Sequence, residues 1–305
     1  MSPSDKAVWD AAYDEEYDGL TALPSWEVVT EDQYYKLSKG KKVLPIMAIA
    51  TIKCDANNKP KRAKYRIVVL GNLVYHTWLK EDTAAPVLSQ LELRLLTSLA
   101  VYKKRVLKNC DVKQAFVQST LPEDEVYFLK PPPGCPRSNS NQYWRLIRSL
   151  YGLKPAPWIW FETLCRHLTS MGLKQASPNS CLFVGELIPG GPKIYVGIYV
   201  DDIIYFSTDD AVEARFEELL GNLLSVDFMG QVSHFLGIEF VWQHHPDGHI
   251  SVSLTQQFFA ENLIESLGFE NLNASTFASS YRSGIPIDSI PTEDLSSIQR
   301  DTLRL

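Results

Sequence analysis

Apolar and polar positions alternate along the chain in runs that predict a mixed α and β protein. After Ser2-Pro3-Ser4-Asp5, the residues Ala7, Val8, Ala11 and Ala12 offer one helical face, and the predicted helix ends near Gly19. Val43 to Cys54 is rich in Val, Ile and Ala, Asp55-Ala56-Asn57-Asn58 has turn chemistry, and Tyr65 to Val69 is apolar again. This is a hairpin pattern. From Leu88, Leu91, Leu95, Leu96 and Leu99 recur at helical spacing, and Val106 to Phe116 follows as a predicted strand. Pro131-Pro132-Pro133-Gly134 breaks structure, Tyr143 to Leu150 reads as a strand, and a helix from Pro157 carries Phe161, Leu164, Cys165, Leu168 and Met171 before Gly172. Two β-rich halves then run from Ile194 to Phe206, interrupted only by Asp201-Asp202. Asp209 can cap a helix bearing Val212, Phe216, Leu219, Leu220 and Leu223. Strands at Phe235 to Val241 and His249 to Leu254 lead to a last helix, Gln256 to Leu267, and the Ser/Pro-rich stretch from Asn273 to Leu305 reads as linker.

Composition changes this picture little and charge changes it more. With 305 residues, 45% hydrophobic and 22% charged, the chain has the balance of a globular protein of one large or two modest domains. Neither a membrane span nor a basic leader is visible, so an intracellular, cytoplasmic protein without a membrane partner is expected. Five cysteines, never paired as CxxC, suggest neither a zinc site nor a disulfide framework, and buried free thiols are the better reading. The net charge of -6 disguises an asymmetry. Between Lys36 and Arg66 there are ten basic residues against Asp55 alone, a balance of +9, whereas nine acids oppose Lys6 in the first 35 residues. Such a local basic patch suits phosphate contacts.

The chemistry centres on carboxylates. Burying Asp201 and Asp202 between apolar strands costs several kcal/mol unless a cation or hydrogen bonds compensate, and a hairpin that lifts both acids to its tip avoids that cost. Asp111 is a lone acid on a second buried strand. Two strands converging with such groups could hold two Mg²⁺ ions about 3.5–4 Å apart, one activating an attacking oxygen and one stabilising a leaving oxygen, and hard oxygen donors favour Mg²⁺ over zinc. His244, His245 and His249 beside Asp247 fit no zinc spacing and read as a polar turn.

Six motifs in order make the chain resemble the reverse transcriptase of copia-type LTR retrotransposons from about Trp26 to Asn273. They are Lys64-Tyr65-Arg66 with Gly71-Asn72; Asp82-Thr83-Ala84-Ala85-Pro86-Val87; Asp111-Val112-Lys113-Gln114-Ala115-Phe116; Ser149-Leu150-Tyr151-Gly152-Leu153-Lys154; Tyr199-Val200-Asp201-Asp202; and Phe235-Leu236-Gly237-Ile238-Glu239. The resemblance implies an α+β right-hand polymerase whose ferredoxin-like antiparallel palm sheet is backed by helices. The implied domains are an acidic N-terminal extension (1–25), a reverse transcriptase domain (26–273) and a truncated linker toward an absent ribonuclease H (274–305). Within the second, fingers would occupy about 26–105 and part of 120–160, palm about 106–119 and 160–241, and a primer-side, thumb-like region about 242–273.

By the same resemblance, Asp111, Asp201 and Asp202 are the catalytic acids, and Asp111, Val112, Asp201 and Asp202 hold two Mg²⁺ ions, with Mn²⁺ as a substitute. Lys64, Arg66, Phe116, Tyr151 and Gly152 bind the nucleotide, with Phe116 beneath the sugar as a gate against a 2′-hydroxyl. Phe235, Leu236 and Gly237 lie on the primer side. The implied partners are dNTPs and an RNA or DNA template with its primer, in a cytoplasmic retrotransposon particle; oligomeric state is left open. Departures from the family pattern include Leu70 for a basic residue, Pro155 and Trp158 for an amide and a guanidinium, and no lysine in Asp227-Phe228-Met229-Gly230. A non-catalytic nucleic-acid or protein-binding module that keeps the fold is the rival expectation. A palm-fold nucleotide cyclase is a second, which would lack the fingers hairpin.

Overall fold

A computed structural model describes residues 3–54, 60–74, 83–131 and 142–267. The Asp55–Asn58 turn, Asp82, the Pro132–Gly134 break and the Asn273–Leu305 stretch lie outside the described residues. The chain divides into two compact units. One comprises Met1–Val232 with His244–Ile250, the other Ser233–Gln243 with the residues from Ser251 onward.

The first unit is built on an antiparallel six-stranded sheet in the order β11-β4-β10-β9-β8-β7. Its strands are β4 (Lys108–Val112), β7 (Leu173–Gln175), β8 (Leu182–Glu186), β9 (Lys193–Tyr199), β10 (Asp202–Ser207) and β11 (Val226–Gln231). In β10, Ile203, Ile204, Tyr205 and Phe206 are all fully buried, which explains why the sequence runs apolar there rather than alternating: a central strand is covered on both faces. Helix α5 (Asp210–Leu223) begins where Asp209 accepts the Ala211 N–H at 2.7 Å, and it packs Phe216 against Tyr205 with ring centroids 4.9 Å apart. Beneath the sheet Glu213, 1% exposed, accepts the Ser207 N–H at 2.9 Å and pairs with Arg105 at 3.2 Å and Lys108 at 3.0 Å. Helix α3 (Gln90–Tyr102) starts at a capping box between Ser89 and Glu92, and α4 (Ala156–Ser170) is stopped by Gly172 at φ 97°.

Two smaller sheets complete the unit. β1 (Trp26–Thr30), β6 (Gln142–Leu146) and β5 (Phe128–Leu129) form one; β2 (Ile46–Cys54) and β3 (Pro60–Val69) form a two-stranded ribbon. Helix α2 (Glu31–Leu37), which the periodicity did not predict, follows a capping box of Thr30 with Gln33. Helix α1 (Pro3–Ala22) runs past Gly19 and is built into the core. Its Leu20 is fully buried in the cluster that holds Ile67, Val69 and Trp144, and Tyr13 meets Tyr65 edge-on at 5.3 Å.

Two strand expectations are corrected. The strand read as Val106–Phe116 ends at Val112; Gln114 turns left-handed at φ 47°, and Ala115–Gln118 is a 3₁₀ turn, so Phe116 sits on a turn. The strand read as Tyr143–Leu150 is Gln142–Leu146, because the Ile147 and Arg148 N–H groups both go to the Ser25 carbonyl instead of a ladder. The short β5, β7 and β8 and the largely exposed β11 carry too few alternating positions to be seen in sequence.

The second unit holds β12 (His234–Phe235), all but the last residue of β13 (Ile238–His244), all but the first of β14 (Ile250–Thr255), and α6 (Gln257–Ser266). Leu236 and Gly237 both have positive φ (52° and 74°), the backbone of a type I′ hairpin turn. The His245–His249 segment, which belongs to the first unit, is a polar turn, with the His249 N–H bound to Asp247 at 3.0 Å.

Candidate active site

Strand register builds the acidic centre. Asp111 on β4 lies opposite Asp202 on β10, and on its other side opposite Asp227 on β11. Residues directly opposite share a sheet face at about 5 Å between β-carbons, so the three acids form a row across neighbouring strands. Only Asp201 stands in the turn: β9 and β10 close on the pair Tyr199 and Asp202, leaving Val200 and Asp201 as the central residues. The expectation that both acids crown the tip is therefore corrected, since Asp202 already belongs to the ladder.

The turn is strained. Val200 has φ 56°, a left-handed conformation that β-branched residues avoid. Two hydrogen bonds hold it there: the indole Nε1 of buried Trp160 donates to the Val200 carbonyl at 2.7 Å, and the Val112 N–H donates to the Asp201 carbonyl at 2.9 Å. Buried Trp160 thus anchors the hairpin from α4, and no local pattern could have announced it. Strain held by surrounding structure is a recurrent property of functional sites.

Crowding of like charge marks the cluster. Burial and then Asp201 raise the Asp111 carboxyl above its ordinary range, and burial followed by Asp201 and Asp111 pushes Asp202 up to about 6. Lys53 opposes the rise at both acids, and Lys64 at Asp111. Asp227 adds to the repulsion on Asp111 and pairs with Lys113 at 2.6 Å. Sequence reading missed Lys53 and Asp227 as site residues; Lys53 is one of the ribbon's basic residues, and Asp227 stands alone among apolar neighbours in β11.

Lys64 and Arg66 fall two residues apart on β3, on one face of the ribbon with Arg62, and Lys53 faces Arg62 across the ladder. Burial, then Lys53 and Arg66, lower the Lys64 ammonium. Tyr151 meets Phe116 edge-on at 5.0 Å, and its hydroxyl is pushed up to about 12 by burial and by Asp201, so it stays protonated. Gly152, at φ 90°, has a physical reason to be glycine. A β-carbon there would lie 2.0 Å from the Val69 carbonyl, and one at Gly71 would lie 2.2 Å from the Gly152 carbonyl. These glycines let the Tyr151–Gly152 loop dock on β3, where the Val69 N–H bonds the Tyr151 carbonyl at 2.7 Å. Phe235, Leu236 and Gly237 lie in the second unit, with Phe235 buried and the Gly237 carbonyl accepting from Gln256 at 3.4 Å.

Among the residues that depart from the family pattern, Pro155 is the buried N-cap of α4, Trp158 packs beside Phe161, and the Leu70 N–H bonds the Pro45 carbonyl. Cys110 and Cys181 are buried free thiols and Cys165 is half-buried, while Cys135 lies outside the described residues. No described helix is long and apolar enough to cross a membrane.

For a cation the donor chemistry fits, because three hard carboxylates repel one another and the Val112 carbonyl belongs to the same strand. Among the described residues, no three Asp, Glu, His or Cys side chains converge as a preformed cage. Mg²⁺ does not require one, since one or two carboxylates completed by substrate phosphates commonly hold it.

The class of this fold comes from comparison with known proteins. The family model described as reverse transcriptase (RNA-dependent DNA polymerase) matches residues 26–279, and the chain belongs to that family. Within the family it is a copia-type domain. It is 31% identical over 191 residues to the retrovirus-related Pol polyprotein from transposon RE2 of Arabidopsis thaliana, covering 63% of this chain and 13% of that protein. The corresponding polyprotein from transposon TNT 1-94 of Nicotiana tabacum is 25% identical over 260 residues, 85% of this chain and 19% of its own length. A putative Ty5-1 transposon protein of Saccharomyces cerevisiae is 32% identical over 157 residues, 51% of this chain and 49% of its own. The chain thus spans a minor part of the Pol polyproteins it matches. Among solved structures, a foamy viral protease-reverse transcriptase in complex with double-stranded DNA is similar over 77% of this chain and 34% of its own, with 12% identity and a TM-score of 0.36.

Proposed function

We propose that this chain is an RNA-directed DNA polymerase that transfers a nucleotidyl group from a dNTP to a primer 3′-hydroxyl. The observation that carries the reading is the register of Asp111 against Asp202 with Asp201 in the adjoining turn: a half-buried, mutually repelling set of oxygens on rigid strands. In this reading the six-stranded sheet is the palm, the β2–β3 ribbon belongs to the fingers, and β12–β14 with α6 lie on the primer side.

The chain's own residues divide the work. Asp111, Asp201, Asp202 and the Val112 carbonyl would hold two Mg²⁺ ions. When bound, the ions supply charge stabilisation to the attacking oxygen, the α-phosphate and the leaving pyrophosphate. Lys64 and Arg66 hold the triphosphate, Arg66 with a planar fork suited to two phosphate oxygens. Phe116, braced by Tyr151, lies under the sugar and excludes a 2′-hydroxyl by bulk. The Gly152 loop fixes the distance between that floor and β3. The Phe235-Leu236-Gly237 turn is the primer-side element, with buried Phe235 as its structural support.

The test is primer extension on poly(rA)/oligo(dT) with dTTP and Mg²⁺, comparing the chain with Asp201→Asn. Extension by the parent and none by a folded variant supports the assignment. Extension by neither supports the non-catalytic binding module, and equal extension by both removes Asp201 from the site.

A further inference from the structure

Helix α1, ahead of the part of the chain that the family model matches, reaches the nucleotide side of the site with one buried carboxylate. Strand β3, which carries Lys64 and Arg66, pairs along one edge with β2. Toward its other edge point the Ile67 and Val69 N–H groups, two residues apart and so on the same side of the strand. Val69 is taken by the Tyr151 carbonyl, and the Ile67 N–H donates to Glu16 Oε1 at 3.3 Å. The same carboxylate accepts from the Gln114 side chain. Gln114 is the left-handed residue between Asp111 and the turn that bears Phe116. Glu16 is 8% exposed, and burial raises its carboxyl while the bonds to Ile67 and Gln114 and the charges of Lys64 and Arg66 oppose the rise. Gly19, one turn along α1, leaves room for the partner: a β-carbon there would lie 2.6 Å from Gln114 Nε2.

We infer that Glu16 is a positioning residue for the incoming nucleotide, clipping the phosphate-holding strand β3 to the loop that follows Asp111. The inference rests on the polymerase reading above. A dNTP must touch Lys64 and Arg66 with its phosphates and Phe116 with its sugar at once. The Glu16 bridge between these two segments therefore sets the length of the pocket, and its loss is read in nucleotide affinity.

The experiment uses the full chain in steady-state extension of poly(rA)/oligo(dT), with amide hydrogen exchange in parallel. Glu16→Ala should raise KM for dTTP about tenfold, the effect of losing one buried charge-assisted hydrogen bond, with kcat less affected and primer-template affinity unchanged. Glu16→Gln, which can still bond both Ile67 and Gln114, should recover most of the loss. Gly19→Ala separates position from folding: it improves helix propensity while crowding Gln114, so KM should rise without a fall in Tm. Glu15→Gln, which removes an exposed pair with Arg62 at 3.2 Å, is the control and should leave KM unchanged. An unchanged KM in Glu16→Ala overturns the inference, as does a parallel loss of kcat, KM and Tm that Glu16→Gln fails to rescue. If the parent extends no primer, the polymerase reading and the nucleotide role fall together. Exchange then judges the clip alone: faster exchange in both 60–69 and 112–118 of Glu16→Ala upholds it, and unchanged exchange refutes it.

Discussion

Replacing Asp202 by asparagine should stabilise the metal-free protein at neutral pH while removing primer extension. Asp202 is half-buried on β10 opposite Asp111 and next to Asp201, and its carboxyl is pushed from 3.8 to about 6. A carboxyl with a folded pKa above its unfolded one binds its proton more tightly in the fold. Its stabilising contribution is therefore complete below about pH 4, is lost as pH rises through about 6, and stays lost above that. At 1.36 kcal/mol per unit the shift corresponds to about 3 kcal/mol, and solvent screening of a partly exposed group roughly halves it to ~1.5 kcal/mol. Asparagine keeps the shape and carries no charge, so thermal denaturation in EDTA at pH 7.5 should place the variant about 3–6 °C above the parent. The two should converge near pH 4, and Mg²⁺ should narrow the gap at pH 7.5 by stabilising the parent more. A gap that is absent at pH 7.5, reversed in sign, or constant from pH 4 to 8 would refute the claim that Asp202 is held against repulsion.

Three further outcomes follow from the packing. Phe116→Ala should relax sugar discrimination and raise incorporation of ribonucleotides in primer extension by at least about tenfold, as expected when a half-buried aromatic stops excluding one hydroxyl; unchanged discrimination would take Phe116 out of the gate. Glu213→Ala leaves Arg105 and Lys108 without their shared partner beneath the sheet and should cost about 3 kcal/mol, the lower end for breaking a buried pair because both cations retain some solvent, measured by urea denaturation. Gly152→Ala forces a β-carbon to within 2.0 Å of the Val69 carbonyl at φ 90°. It should cost about 3 kcal/mol from strain and overpacking together and speed amide exchange at Val69, and wild-type stability would show that the loop docks differently.

Local chemistry was legible in the sequence wherever a short stretch carries its own instructions. The Asp209 cap, the Gly172 stop, the β2–β3 ribbon and the paired β-rich halves around Asp201 and Asp202 all follow from residue type and spacing, because capping, period-two alternation and left-handed glycine are properties of a few neighbouring residues. Motif order also placed Asp111, Lys64, Arg66 and Tyr151 in one reading before any contact was known. Where the chain had to choose partners across long separations, sequence was silent. The alignment of Asp227, Asp111 and Asp202 depends on β4 lying between β10 and β11, and a one-residue slip would send each acid to the opposite face. The left-handed Val200 is held by an indole forty residues away, and Glu16 joins β3 to the Asp111 loop from a helix that reads as an acidic extension. Backbone preferences determined the elements. Burial of a shared core and satisfaction of distant polar groups decided which of them meet, and tertiary structure therefore decided the geometry of the acidic centre.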